Sequence, residues 1–268
     1  MSWVGKLGRK FCNIGLMQAA QPVIFFGHGS PMNALQENKC TEQWREIVAG
    51  LPRPKAILAI SAHWETEGGT FVTSNAKPKT IHDFGGFPKA LFDMQYPAPG
   101  SADLVNRVIQ LLPGCKPSAE WGLDHGTWSV LVKTHPQADI PVVQLSMDVN
   151  LTFQQHYDLA KRLAPLRDEN ILIIGSGNIL HNLYGITQSE APLTLEFLNT
   201  MRKALQTSDH KTIINAPNLR GWKESSPSDE HFLPLIYCIA LQRQTDKVSF
   251  YNNDYTGSFT MLCVKYSS

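Results

Sequence analysis

Short apolar runs alternate along this chain with longer amphipathic stretches. Segments 22–27, 55–61, 140–146 and 170–175 are almost continuously apolar and rich in valine, isoleucine and leucine. A strand covered by helices on both faces of a mostly parallel sheet carries that signature. Phe71 to Thr73 predicts a further short strand. Segments 247–250 and 258–265 predict later strands that close as a hairpin.

Helical patterns fill the spaces between. Segment 101–112 has Ser101 as its N-cap, and Leu104, Val108 and Leu112 form one stripe. Segment 152–163 starts after Thr152 and stops before Pro165. Segment 194–206 places Phe197, Leu198, Met201 and Leu205 on one face. Segment 228–242 also reads as a helix. Pro234 lacks the donor that a helix interior requires, so the start moves towards Pro234 and leaves His231 at its mouth. This alternation predicts an α/β fold, a single domain with a central, mostly parallel or mixed sheet flanked by helices.

The globular pattern begins near Pro22. Residues 1–20 read as a loose arm ahead of a domain over 21–268. Lys6, Arg9 and Lys10 are followed by no apolar segment of signal-peptide type. With 24 basic and 23 acidic residues the charge is balanced, which argues against nucleic acid or a membrane surface as partner. Cys12, Cys40, Cys115, Cys238 and Cys263 are odd in number and form no C-x-x-C pair. Reduced thiols and a cytoplasmic location are the simplest expectation.

The candidate chemistry lies in histidines. His28 follows the run VIFFG, His63 stands in ISAHW, and His181 follows ILIIGSGNIL. Ends of parallel strands are where open α/β sheets build sites, and imidazole is a ligand for zinc, iron, copper and nickel. His231, in SDEHFLP, is a fourth candidate. His125, in the glycine- and tryptophan-flanked segment WGLDHGTW, is a candidate proton donor or acceptor on a loop. Convergence depends on strand order, since separations of 35, 118 and 50 residues between successive members of the set 28, 63, 181 and 231 match no short zinc motif.

Segment 76–100 is rich in glycine, proline and aromatics, as functional loops are. Within it His82 is a candidate substrate contact, and Phe84, Phe87 and Tyr96 either wall a pocket or pack the loop. Asp148 reads as an outer carboxylate of the site or a solvated loop acid. The turn Gly175–Asn178 reads as lining a site. His135, His156 and His210 read as surface or helix-side residues. There is no G-x-S-x-G elbow, no phosphate loop and no dinucleotide fingerprint.

Taken together, GHGSPM, SAHW, TIHDFGGFP, YPAPGS, WGLDHGTW, VVQLS, GSGNILHN and EHFLPL resemble the class III extradiol ring-cleavage dioxygenases, and within them the bacterial 4,5-DOPA extradiol group. The resemblance runs in order over residues 22–265. It implies one non-haem metal at a sheet edge, with His28, His63 and His231 as ligands. His181 would be either a fourth ligand or an acid/base, and His125 would bind substrate and transfer a proton. The implied reaction opens a catechol such as L-DOPA with O2, giving a semialdehyde, 4,5-seco-DOPA. A three-histidine set departs from the two-histidine, one-carboxylate site of more distant relatives. It suits zinc in a protein as isolated, with Fe2+ for dioxygenase turnover. Two alternatives stand beside this reading: a zinc-dependent hydrolase using the same histidines, and a non-catalytic metal-binding interaction protein on the same fold. The oligomeric state is not readable from the sequence, and a monomer is compatible with it.

Overall fold

The computed structural model describes residues 20–185 and 187–268. The expected arm therefore lies, except for Ala20, outside the described residues. The strands are β1 (Val23–Gly27), β2 (Ala56–Thr66), β3 (Phe71–Thr73), β4 (Lys116–Ser118), β5 (Val142–Asp148), β6 (Ile171–Gly177), β7 (Lys247–Tyr251) and β8 (Cys263–Ser267). They form one sheet in the order β4-β3-β5-β2-β6-β1-β8-β7. The central four, β5-β2-β6-β1, are mutually parallel. Antiparallel pairings flank them, β3 on β5 at one side and β8 on β1 and β7 at the other. The sheet is mixed, with a parallel centre.

The helices are α1 (Lys39–Val48), α2 (Lys89–Phe92), α3 (Ala102–Leu111), α4 (His125–Thr134), α5 (Phe153–Lys161), α6 (Ala191–Gln206), α7 (His210–Ile214), α8 (Trp222–Ser225) and α9 (Leu233–Ala240). Alternate residues of each central strand enter opposite cores, as the period of two requires. Val23 and Phe25 of β1 join one core with Leu58, Ile60 and Ile173, against Val108 of α3, Phe153 of α5, Met201 of α6 and Ile236 of α9. Ile24 and Phe26 join the other with Ile57, Ala59 and Ile174, against Trp44 and Ile47 of α1 and Trp128 and Leu131 of α4. Each such side chain contributes about 1.5–3 kcal/mol by leaving water. No helix among the described residues is long and apolar enough to cross a membrane.

The structure departs from the sequence reading in a few places. Segment 258–265 is not one strand. β8 begins at Cys263, and the preceding residues instead bridge His181 with Phe259 and Tyr255 with Thr260. The helix read within 228–242 does start beside Pro234, as expected, running Leu233–Ala240 with Pro234 in its first turn, where a missing donor costs nothing. WGLDHGTW is not a loop throughout, because α4 starts at His125. Asp124 caps it by accepting the Thr127 N–H at 3.2 Å.

Candidate metal centre and active site

The carboxyl ends of β1, β2 and β6 lie side by side and carry the site. Gly27 pairs with Gly177 at the ends of β1 and β6, and the His28 N–H donates to the Gly177 carbonyl at 3.1 Å. On β2 the pairing with β5 shifts between Ile60 and Glu65, so the segment bearing His63 bulges out of the ladder. Bulges of this kind re-aim side chains. His231 precedes α9, and its carbonyl accepts the Asn178 N–H at 2.8 Å, which docks it on the end of β6. His181 follows β6 and donates its N–H to the Ser225 carbonyl at 2.8 Å. His125 opens α4.

These elements bring all five histidines together. Ring centroids of His28 lie 5.0 Å from His63, 5.2 Å from His231 and 5.6 Å from His125. His63 and His125 are 3.9 Å apart. His181 stacks on His231 at 3.5 Å with planes 7° apart. Ligand atoms of His28, His63 and His231 lie within 4.8 Å of one another, whereas His181 groups only with Glu230 and His231.

The hydrogen-bond network shows what the three nitrogens can do. Ser176 Oγ donates to the Gly126 carbonyl at 2.5 Å, so its contact with His28 Nδ1 at 3.0 Å needs the proton on Nδ1. Asp83 Oδ2 lies 3.3 Å from His63 Nδ1, and Glu230 Oε1 lies 3.0 Å from His231 Nδ1. A carboxylate only accepts, so the hydrogen bond to Glu230 puts the proton of His231 on Nδ1 and leaves its Nε2 lone pair bare, and the proximity of Asp83 favours the same tautomer in His63. His28 Nε2 and His63 Nε2 stand 3.1 Å apart. Neighbouring ligands of a tetrahedral ion with bonds of about 2.0–2.1 Å are separated by roughly 3.3 Å. Two bare lone pairs at this spacing repel unless a cation sits between them. The donor set and its outer acceptors therefore fit one divalent ion.

Electrostatics agree with neutral imidazoles. Burial first, then the neighbouring histidines, hold His28 well below its usual pKa. Burial and His125 do the same for His63. Burial, then His231, brings His181 to about 4. Burial pushes Glu230 up, but hydrogen bonds from His231 and Ser228 outweigh it and bring it to about 2. Burial likewise raises Asp83, and contacts with His125 and His63 reverse the sign. Asp124 is fully buried and pushed up by burial and by Asp83, against hydrogen bonds from Ser61 and Gln144.

Several other expectations resolve differently. His82 does not face the cluster, because its Nε2–H donates to the Met94 carbonyl at 2.9 Å. Its neighbour Asp83 faces the cluster instead. Tyr96 is no pocket wall; it is 1% exposed and donates to the His135 carbonyl at 2.9 Å. Phe84 does reach the site, with its ring 5.5 Å from that of His125, and Phe87 packs behind it at 5.4 Å. Asp148 is neither solvated nor in the cluster. It is buried at the end of β5 and accepts from Asn150. His156 is a buried core histidine paired with the Tyr237 hydroxyl at 2.9 Å, not a surface residue. Asp83 was not legible as a site partner, its only sequence signal being its place one residue after His82 in a glycine-rich loop, whereas Ser176 lies in the segment Gly175–Asn178 read as lining a site.

Residues 22–262 match the family described as the catalytic LigB subunit of aromatic ring-opening dioxygenase. The chain is 40% identical over 264 residues to a protein named 4,5-DOPA dioxygenase extradiol from Escherichia coli K12, covering 94% of this chain and 97% of that one. A protein of the same name from Beta vulgaris is 38% identical over 250 residues, covering 87% and 91%. The crystal structure of an uncharacterized Escherichia coli K12 protein superposes with a TM-score of 0.78 at 36% identity, covering 91% of this chain and 99% of that chain. Neither the hydrolase nor the non-catalytic alternative gains support from these matches. The chain belongs to the class III extradiol ring-cleavage dioxygenases and is an enzyme of that reaction type.

Proposed function

We propose that this enzyme opens the ring of a catechol next to its paired hydroxyls, using O2 and one divalent metal held by His28, His63 and His231. The observation that carries this reading is the meeting of His28 and His63 at their Nε2 atoms, with a ligand atom of His231 within 4.8 Å of both and an acceptor near the Nδ1 of each ring. Bound there, Fe2+ supplies the electron transfer between ring and oxygen that the reaction requires, while Zn2+ is the expected occupant of protein as isolated. L-DOPA is the proposed substrate and 4,5-seco-DOPA the product, on the names of the relatives from Escherichia coli and Beta vulgaris.

The chain's own residues have distinct tasks. His125 is buried beside His63, outside the His28–His63–His231 set, with Asp83 at its Nδ1. Its Nε2 is then free to take a hydroxyl proton from the substrate. His181 lies stacked outside the same set and serves as the second proton carrier rather than a fourth ligand. Phe84 lies against His125 and excludes water from that side of the ring. The free thiols of Cys40, Cys115, Cys238 and Cys263 support a reducing cytoplasmic location.

Anaerobic reconstitution with Fe2+, followed by L-DOPA and air-saturated buffer, tests this reading. Oxygen uptake with a matching yellow absorbance, both absent in His63→Ala, is the expected result. Iron-loaded protein that consumes no oxygen with L-DOPA or a panel of other catechols would reject it.

A further inference from the structure

Asp83 touches more of this site than any other carboxylate. Its Oδ1 accepts the backbone N–H of His125 at 2.9 Å, at the first turn of α4. Its Oδ2 lies 3.0 Å from His125 Nδ1 and 3.3 Å from His63 Nδ1. Both imidazole contacts are ion-pair approaches rather than aligned hydrogen bonds, and the buried His125 Nδ1 has no hydrogen-bond partner. Catalytic hydrogen bonds often reach good alignment only in the loaded site. The Asp83 side chain is 17% exposed, so the contact is largely withdrawn from solvent.

From this we infer that Asp83 is a positioning residue that fixes the tautomers of His63 and His125 with one oxygen atom, and so joins the metal ligand to the proton acceptor. The inference rests on the reading given under Proposed function. An acceptor-only carboxylate at both Nδ1 positions places both protons there. His63 then presents Nε2 to the metal, and His125 presents a bare Nε2 to the substrate. His125 Nε2 could not accept a proton if the tautomer were reversed. The backbone contact at Oδ1 adds an anchor, because it ties the carboxylate to the helix that carries His125. The arrangement follows the carboxylate–histidine logic by which an outer partner sets ring orientation and basicity.

Asparagine at this position separates shape from chemistry. It has one acceptor where aspartate has two. If its oxygen keeps the His125 N–H, its amide donates towards the two imidazoles and favours a bare Nδ1 on His125. If the amide flips, two donors face each other at the helix start. In Asp83→Asn the His125 tautomer should therefore change while the fold is kept.

The test uses zinc-loaded protein with 15N-labelled histidine, because zinc is diamagnetic. Long-range 1H–15N spectra report which nitrogen of each ring is protonated, with resonances assigned through His63→Ala and His125→Ala. Wild type should show His125 protonated at Nδ1, and Asp83→Asn should show it protonated at Nε2 or mixed. Zinc affinity, measured by chelator competition, should fall about 10–100-fold in Asp83→Asn, and kcat of the iron enzyme should fall by a similar factor with less change in KM. Asp83→Ser, which keeps a small acceptor for the helix start, guards against misfolding as the cause and should show the same tautomer change. A His125 tautomer that is the same in wild type and Asp83→Asn, or wild-type zinc affinity and kcat in that variant, would overturn the assignment. If wild type itself turned over no catechol, the failure would fall on the reaction class alone, since the tautomer and zinc measurements would still decide the role of Asp83.

Discussion

Replacing Gly177 by alanine should damage the site from beneath without touching a ligand side chain. A Cβ at Gly177 would lie 2.1 Å from the His231 carbonyl oxygen, 3.1 Å from its carbon and 3.3 Å from Pro234 Cγ. Ordinary contact begins near 3.4 Å, so backbone must retreat by more than about 1 Å. Two of the proposed metal ligands, His28 and His231, are tied to that backbone. The His231 carbonyl is held by Asn178, and the Gly177 carbonyl holds His28. Overpacking of this kind costs about 1–3 kcal/mol, which for a chain of this size lowers Tm by about 2–6 °C. A shift of roughly 1 Å is half of a metal–nitrogen bond of about 2.0–2.1 Å. Displacements of that size at a reacting centre cost on the order of 10²-fold in rate. Melting of the metal-free variant reads the packing cost, metal content after dialysis reads the ligand geometry, and kcat/KM reads the sum. Gly85→Ala is the control, because its Cβ meets nothing within 4 Å and its φ is not positive. Gly177→Ala with wild-type metal content and turnover would refute the reasoning.

Other outcomes follow from the same geometry. His28→Ala should lose metal and turnover together, whereas His125→Ala should keep its metal, read by elemental analysis, and lose turnover by about 10²–10⁴-fold. Arg167 and Asp246 form a fully buried ion pair at 2.7 Å, and Arg167→Leu strands the carboxylate. That variant should lose about 3–5 kcal/mol in urea unfolding, and a loss below 1 kcal/mol would count against an intact buried pair. Burial holds His156 at about 4 against an ordinary value near 6.5. The unfolded chain therefore binds the proton first, so stability is full above about pH 6.5 and declines as pH falls towards 4. The contribution is on the order of 3 kcal/mol. Urea unfolding at pH 7 and pH 4.5 should show a smaller pH effect in His156→Gln than in wild type.

The strands that carry the site were legible because β1, β2, β5 and β6 are buried on both faces and read as unbroken apolar runs. His28 and His63 stand out because those runs end at them, and Pro234 placed His231 at a helix mouth. α4 was hidden because Gly126 and β-branched residues weaken its propensity, and only the Asp124 cap and the packing of Trp128 and Leu131 make it a helix. α1 was hidden for another reason. It is mostly polar, and its buried anchors Thr41, Trp44 and Ile47 are few. Asp83 was out of reach because its partners lie 20 and 42 residues away and meet it only after the loop folds back. No local pattern encodes that distance. Tyr96 misled because an aromatic in a glycine-rich loop looks alike whether it lines a cavity or fills one.

The carboxylates around the histidines have a consequence for how the site is reached. Among the described residues, Asp83 and Glu230 make ion-pair contacts only with histidines. Glu65 and Asp229 stand near enough to Glu230 for its negative charge to push both of them up, after burial. With His28, His63 and His181 held neutral, these clustered carboxylates give this end of the sheet a negative potential before a metal binds. Such a field draws cations in by diffusion and speeds their capture. Raising ionic strength from about 0.01 M to 0.15 M shortens the screening length from about 30 Å to 8 Å, so metal uptake slows while the bound contacts stay the same. Once a divalent ion is bound its charge offsets these carboxylates, so the salt dependence belongs to metal capture rather than to the arrival of the ring compound.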